Sequence, residues 1–238
     1  LKINRSATNK ALTVFTAVCV AASLGGCGAA IQAGTRIAEA AGASGGQQSN
    51  AAEAAVALAA LEGIPVKGRA AKSGYSRDEF GPAWADTDHN GCDTRNDILA
   101  RDLEDETFKP GTRNCVVATG RLADSYTGGT IHFVRGDTTS AQVQIDHIVA
   151  LSDAWQKGAQ QLSPEQRKQL ANDPLNLMAA DGPTNSAKGD KDAATWLPPN
   201  KAFRCEYVAH QTAVKAKYEL WVTPAEHDAI AGILDTCT

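Results

Sequence analysis

An aspartate and a histidine stand side by side in the middle of "VQIDHIVALSDAW", Val143 to Trp155. Apolar residues alternate around them at Val143, Ile145, Val149 and Leu151, the pattern of a strand buried on one face. A strand that serves only a core has no use for that pair. An imidazole titrates near neutral pH and suits a general base. A carboxylate is a hard oxygen ligand for a divalent cation. Hydrolysis of a phosphodiester uses both, because charge grows on the phosphate oxygens while water attacks.

Two downstream asparagines complete the set. The segment Asp173 to Ala180 predicts a short second strand carrying Asn176, whose amide or backbone carbonyl is placed to orient an imidazole. "DGPTNSAKGDKDAATW" then predicts a helix, with Asp181 as its cap and Pro183 early in the first turn. Asn185 lies in that turn as a neutral oxygen ligand. Lys188 and Gly189 follow three and four residues later on the same face. Lys188 is a candidate phosphate contact, and Gly189 lets a backbone approach closely. In a regular strand Asp146 and His147 point to opposite faces. The strand, read as Gln142 to Leu151, must therefore end or bulge near His147 for both to serve one cleft. The rival reading is a core histidine beside a solvated aspartate.

"DHIVAL" followed by "NLMAADGPTNSAKGDK" resembles the HNH (His-Me finger, ββα-metal) endonuclease family. The nearest branch includes the nuclease domain of GmrSD-type restriction enzymes and an exported, lipid-anchored actinobacterial form. The likeness extends through "GYSRDEFGPAWADTDHNGCDTRNDILARDL" and covers Leu61 to Cys237. It implies an α+β fold: a ββα-metal core over about 142–196 with a long insertion between its strands, flanking helices and an N-terminal β-hairpin region. His147 would activate water, Asn176 would support it, and Asp146 and Asn185 would hold one divalent metal. Asn185 stands where many members have His, which moves the expected metal toward Mg²⁺, with Mn²⁺ as substitute. The implied activity is phosphodiester hydrolysis of nucleic acid, DNA favoured, with low sequence specificity. The alternatives are a surface-binding lipoprotein that reuses the fold without catalysis, and a nuclease used as a toxin against competitors.

Other residues bear on the same chemistry. Arg95 is a candidate phosphate contact, with Arg77 and Arg101 as further choices; each has a carboxylate-paired surface role as its rival. "KGDKD" with Lys201, Arg204, Lys215 and Lys217 reads as a local basic strip. "DTDHNGCDTRND", Asp86 to Asp97, fits a calcium-loop template that ends in Asp rather than Glu; an acidic turn is the rival. Trp196 before "LPPN" reads as a packing anchor. No Gly-x-Ser-x-Gly, phosphate-loop or dinucleotide motif occurs.

The elements that must position these residues have local signatures. "GRLADSYTGGTIHFVRGD" predicts a hairpin turning at Gly128-Gly129, after a strand near Cys115 to Thr119. "SPEQ" at Ser163 and "TPAE" at Thr223 are helix starts, each with a capping residue and a Pro behind it. A helix from about Ala202 aligns Phe203, Tyr207, Val214 and Tyr218.

Lys2, Arg5 and Lys10, then the 14 mostly apolar residues Ala11 to Leu24, then "LGGC", read as a lipoprotein signal with Cys27 as the lipid site. The expected division is a signal at 1–26, an Ala/Gly-rich tether at 27–60 with an Ala-rich helix candidate near Ala51 to Leu61, and a nuclease domain at 61–238, held at the outer face of the cell membrane or secreted. Without residues 1–26, 20 basic residues face 27 acidic ones, a net charge of −7. No overall basic field draws nucleic acid, so any such site is local. Export favours two disulfides among Cys92, Cys115, Cys205 and Cys237. Three pairings exist; Cys92–Cys115 with Cys205–Cys237 is preferred because each stays in one half of the chain. A zinc site is the rival, without a C-x-x-C spacing to support it.

Overall fold

The computed structural model describes residues 51–237. The signal segment and Cys27 lie outside them. A helix, α1, spans 51–62 and turns Ala54, Ala57 and Leu61 into the core. The Ala-rich helix expected near Ala51 to Leu61 is thus formed, and it packs into the core rather than belonging to a tether that runs to residue 60. Among the described residues no helix is long and apolar enough to cross a membrane.

The fold is α+β, with two small antiparallel sheets. The first is a meander of β1 (Leu103–Phe108), β2 (Val117–Ala123) and β3 (Thr130–Val134). The hairpin between β2 and β3 turns where expected, at Gly128, whose φ is +76°. Asp124 closes it by accepting from the Thr127 amide at 2.8 Å. Strand β1, "LEDETF", has no apolar alternation to announce it. The helix before it, α2 (Thr94–Asp102), is capped by Asp93, which accepts from the Asn96 amide.

The second sheet pairs β4 (Val143–His147) with β5 (Leu177–Asp181), from Val143 opposite Asp181 to His147 opposite Leu177. Between them come α3 (Leu151–Gln156) and α4 (Pro164–Asn172), the latter with the expected capping box at Ser163 and Gln166. Helix α5 (Gly182–Lys188) follows β5 without a loop, and Asp181 caps it through the Thr184 amide at 2.8 Å. Gly182 is required at this junction: a Cβ there would lie 2.0 Å from the Ala141 carbonyl oxygen.

Two boundaries differ from the sequence reading. β4 stops at His147 rather than running to Leu151, which instead opens α3. Asn176 sits in the turn before β5, not on the strand. The cause is the division of the core: Ile145, Ile148 and Val149 enter three separate apolar clusters. A strand alternates between two faces only, so the chain leaves the extended conformation after His147.

Helices α6 (Arg204–Lys217) and α7 (Pro224–Leu234) close the molecule, with a second capping box at Thr223 and Glu226. Cys205–Cys237 joins the start of α6 to the residues after α7, and Cys92–Cys115 closes the acidic loop onto the approach to β2. Both preferred pairings are thus formed. Beneath the helices, Lys157 and Lys215 are fully buried and pair with Asp153 and Glu226, while Arg69 and Lys157 share Asp192. Lys215 therefore does not belong to a basic surface strip, and Lys217 is tied to Asp173 at 2.6 Å.

Candidate active site

The end of β4 forms one wall of a cleft of about 400 Å³. Asp146 and His147 both line it, as do Gln144, Asn185, Arg77 and Arg95. The strand's end at His147 resolves the alternation problem: the last side chain turns to the same cleft as its neighbour.

His147 is buried, and its Nε2–H is directed at the Ala171 carbonyl oxygen, 2.9 Å away at the end of α4. That contact assigns Nε2 as the protonated nitrogen and leaves Nδ1 with the lone pair. Burial lowers the imidazole pKa to about 4, against the raising effects of the Ala171 carbonyl and Asp146. The ring is therefore neutral at neutral pH. The indole of Trp84 lies nearly parallel to it, at 16° with centroids 6.1 Å apart.

Asn176 makes no hydrogen bond to that ring. Its Oδ1 accepts from the Val149 amide at 2.8 Å, its Nδ2 donates to the Val149 and Leu170 carbonyls, and its own carbonyl accepts from the Ile148 amide. It fixes the turn that ends β4 and brings α4 against it. The carbonyl that orients the imidazole belongs to Ala171, which carries no side-chain signal a sequence could show.

Asp146 is buried. Lys188 Nζ donates to its two oxygens at 2.9 and 2.8 Å and to the His147 carbonyl at 2.6 Å, and the Tyr126 hydroxyl donates to Oδ2. Lys188 is fully buried beneath the cleft, so it clamps Asp146 rather than facing a phosphate. Asn185 Nδ2 donates to Gln144 Oε1 at 2.9 Å. Gln144 shares Asp146's strand face two residues earlier, a partner the alternation itself points to.

Arg95 reaches the Val143 carbonyl at 3.2 Å, and burial together with nearby Arg135 lowers its pKa. Such a guanidinium, held near a second cation, gains from an anion. Arg101 is committed elsewhere, to Asp102 and the Pro174 and Leu177 carbonyls. In the Asp86–Asp97 loop Asp86 Oδ2 accepts from the Gly91 amide, Asp86 Oδ1 is buried without a hydrogen-bond partner, and Asn90 bridges Asp88 and Asp97. Among the described residues no three His, Cys, Asp or Glu side chains converge as a metal cluster.

Similarity to known proteins follows the same stretch. Residues 93–233 match the family model of the GmrSD restriction endonucleases, C-terminal domain. An uncharacterized secreted protein of the fungus Arthroderma benhamiae is 36% identical over 190 residues, spanning 79% of this chain and 88% of that protein. No solved structure matches. The matched residues contain β4, β5 and α5 with Asp146, His147, Asn185 and Lys188, while Arg77 and Trp84 of the cleft precede them, and the chain belongs to the family of the GmrSD restriction endonuclease C-terminal domain.

Proposed function

We propose that this protein is an exported, metal-dependent endonuclease of the HNH type that hydrolyses phosphodiester bonds of nucleic acid with His147 as general base. One observation carries the reading: a buried, neutral imidazole, pinned at Nε2 by the Ala171 carbonyl, shares a cleft wall with Asp146 and Asn185.

His147 Nδ1 takes the proton of the attacking water. Its low pKa keeps it unprotonated well below neutral pH. Ala171 holds the ring's orientation, and Asn176 holds the turn that presents it. Arg77 and Arg95 bind the phosphate from the cleft wall, which supplies the local positive charge that the acidic body lacks overall. Asp146 and Asn185 offer an all-oxygen donor set with one carboxylate. That set fits a hard cation that keeps several waters, Mg²⁺ first and Mn²⁺ as substitute. When bound there, the cation's chemistry is to neutralise charge on the phosphate.

The secreted fungal relative and two disulfides support export into an oxidising compartment. Attachment through Cys27 is part of the same proposal. Cys27→Ser should release the protein from membranes and abolish fatty-acid labelling.

The test is cleavage of plasmid DNA, single-stranded DNA and RNA across a metal series and with chelator. The wild type should cut with Mg²⁺ or Mn²⁺, and His147→Ala should lose about 10²–10⁴-fold in rate. A folded wild type that cuts nothing, or an equally active variant, overturns the proposal. The ion pair that occupies Asp146 favours one second reading, a surface-binding protein without catalysis. It predicts binding of nucleic acid with no metal-stimulated cleavage.

A further inference from the structure

Behind His147 lies a second chamber, of about 290 Å³. It shares Arg77, Trp84, His147 and Leu151 with the cleft, so a ligand at the reacting phosphate borders both spaces. Its walls mix apolar residues, Phe80, Pro82, Trp84 and Leu151, with polar ones that include Asp78. Its volume is at the small end for organic ligands, enough for one heterocycle but not for a stretch of chain.

Two features mark it as more than a packing gap. Asn172 stands on its wall and is 2% exposed, and its Oδ1 is buried with no hydrogen-bond partner. The amide's Nδ2 is committed to the Lys168 carbonyl at 2.9 Å, so the orphan atom is an acceptor. Orphan buried acceptors are rare in native proteins, because each forfeits its hydration without replacement. A ligand donor would restore the missing bond. The second feature is Trp84 itself, whose φ of +57° is a conformation that bulky L-residues rarely adopt. Thr94 holds this segment through its amide to the Trp84 carbonyl and its hydroxyl to Ala85. Strain of this kind persists where the surrounding structure enforces it, and here it sets an indole beside the imidazole on the chamber wall.

We propose that the chamber is a nucleobase subsite. It takes an amino-bearing base (adenine, cytosine or guanine) of the nucleotide next to the scissile phosphate. The base stacks against Trp84. Its exocyclic amino group donates to Asn172 Oδ1. Arg77, exposed and common to both spaces, meets the phosphate of the same nucleotide. Cleavage next to amino-bearing bases is then preferred over cleavage next to thymine or uracil.

This inference rests on the nuclease reading but is tested without cleavage. The full-length protein, in chelator, is titrated with dAMP, dCMP, dGMP, TMP and inorganic phosphate. The Trp84 indole N–H resonance, identified by its loss in Trp84→Phe, reports the chamber. Amino-bearing nucleotides should shift it and bind about five- to tenfold tighter than TMP, the worth of one hydrogen bond. Asn172→Leu should erase that preference and leave the response to phosphate. Trp84→Leu provides a second readout by circular dichroism-checked binding, with nucleotide affinity down about tenfold. Equal binding of TMP, shifts that phosphate alone reproduces, or a preference that survives Asn172→Leu overturns the subsite. Nucleotide binding without any cleavage activity would instead sink the nuclease reading and leave the subsite standing.

Discussion

Replacing Lys188 by Met separates two roles that the sequence could not distinguish. The ammonium is fully buried and donates to both Asp146 oxygens and to the His147 carbonyl, at 2.6–2.9 Å. Met has nearly the same length, so little cavity forms. What remains is a carboxylate 5% exposed, with the Tyr126 hydroxyl as its one remaining side-chain donor. Removing one partner of a buried ion pair costs about 3–5 kcal/mol. The Tyr126 bond and the opening of Asp146 onto the cleft favour the lower end, about 3 kcal/mol. At roughly 2–4 °C per kcal/mol for a domain of this size, Tm should fall by about 6–12 °C. Adding Asp146→Asn removes the stranded charge, and the double-mutant cycle should show a coupling of about 2 kcal/mol or more. The assay is urea and thermal unfolding of the four proteins with disulfides intact, comparing m-values to confirm one transition. A lysine that served only substrate phosphate would leave stability unchanged and raise KM. A Lys188→Met protein that melts within about 1 °C of wild type refutes the clamp.

Three further outcomes follow from single features. The unfolded imidazole of His147 titrates near 6.5 and the folded one near 4, so the unfolded chain binds more protons in that interval. Stability should fall as pH drops from 6.5 through 4, by a total on the order of 3 kcal/mol, and His147→Gln should remove this component from a pH series of unfolding curves. Gly182→Ala should destabilise by about 3 kcal/mol or more, because backbone rather than a mobile side chain blocks its Cβ; a Tm within a degree or two of wild type would show that the β5–α5 junction adapts. Exchanging Cys205 and Cys237 for Ser opens a loop spanning 32 residues and should cost about 3–4 kcal/mol in denaturant titration; an unchanged midpoint would mean that α6 and α7 hold together without the staple.

Much of the architecture was legible because its signals are local. Capping boxes at Ser163 and Thr223, the Asp181 cap and the Gly128 turn are each set by a few adjacent residues, and each formed where expected. Strand β1 was not legible: an acidic strand paired at a sheet edge owes its state to its partner β2, not to its own pattern. Lys215 and Lys188 misled in the same way. A lysine in a polar stretch is ordinarily solvated, and only distant carboxylates make burial tolerable.

The site divides along the same line. By itself, the sequence determined which groups are present: an imidazole and a carboxylate adjacent in one strand, two amides downstream, and four thiols. Spacing along the chain suffices for that, because strand and helix periodicity decide which neighbours share a face. Tertiary structure alone decided what those groups do to each other. It ended β4 at His147 by sending Ile145, Ile148 and Val149 into three clusters, which turned both side chains to one cleft. It supplied the Ala171 carbonyl that orients the ring, gave Asn176 to the backbone and committed Lys188 to Asp146. Those outcomes depend on burial and on partners up to 42 residues apart. Desolvation drives buried polar groups toward partners, and the fold decides which partner is within reach.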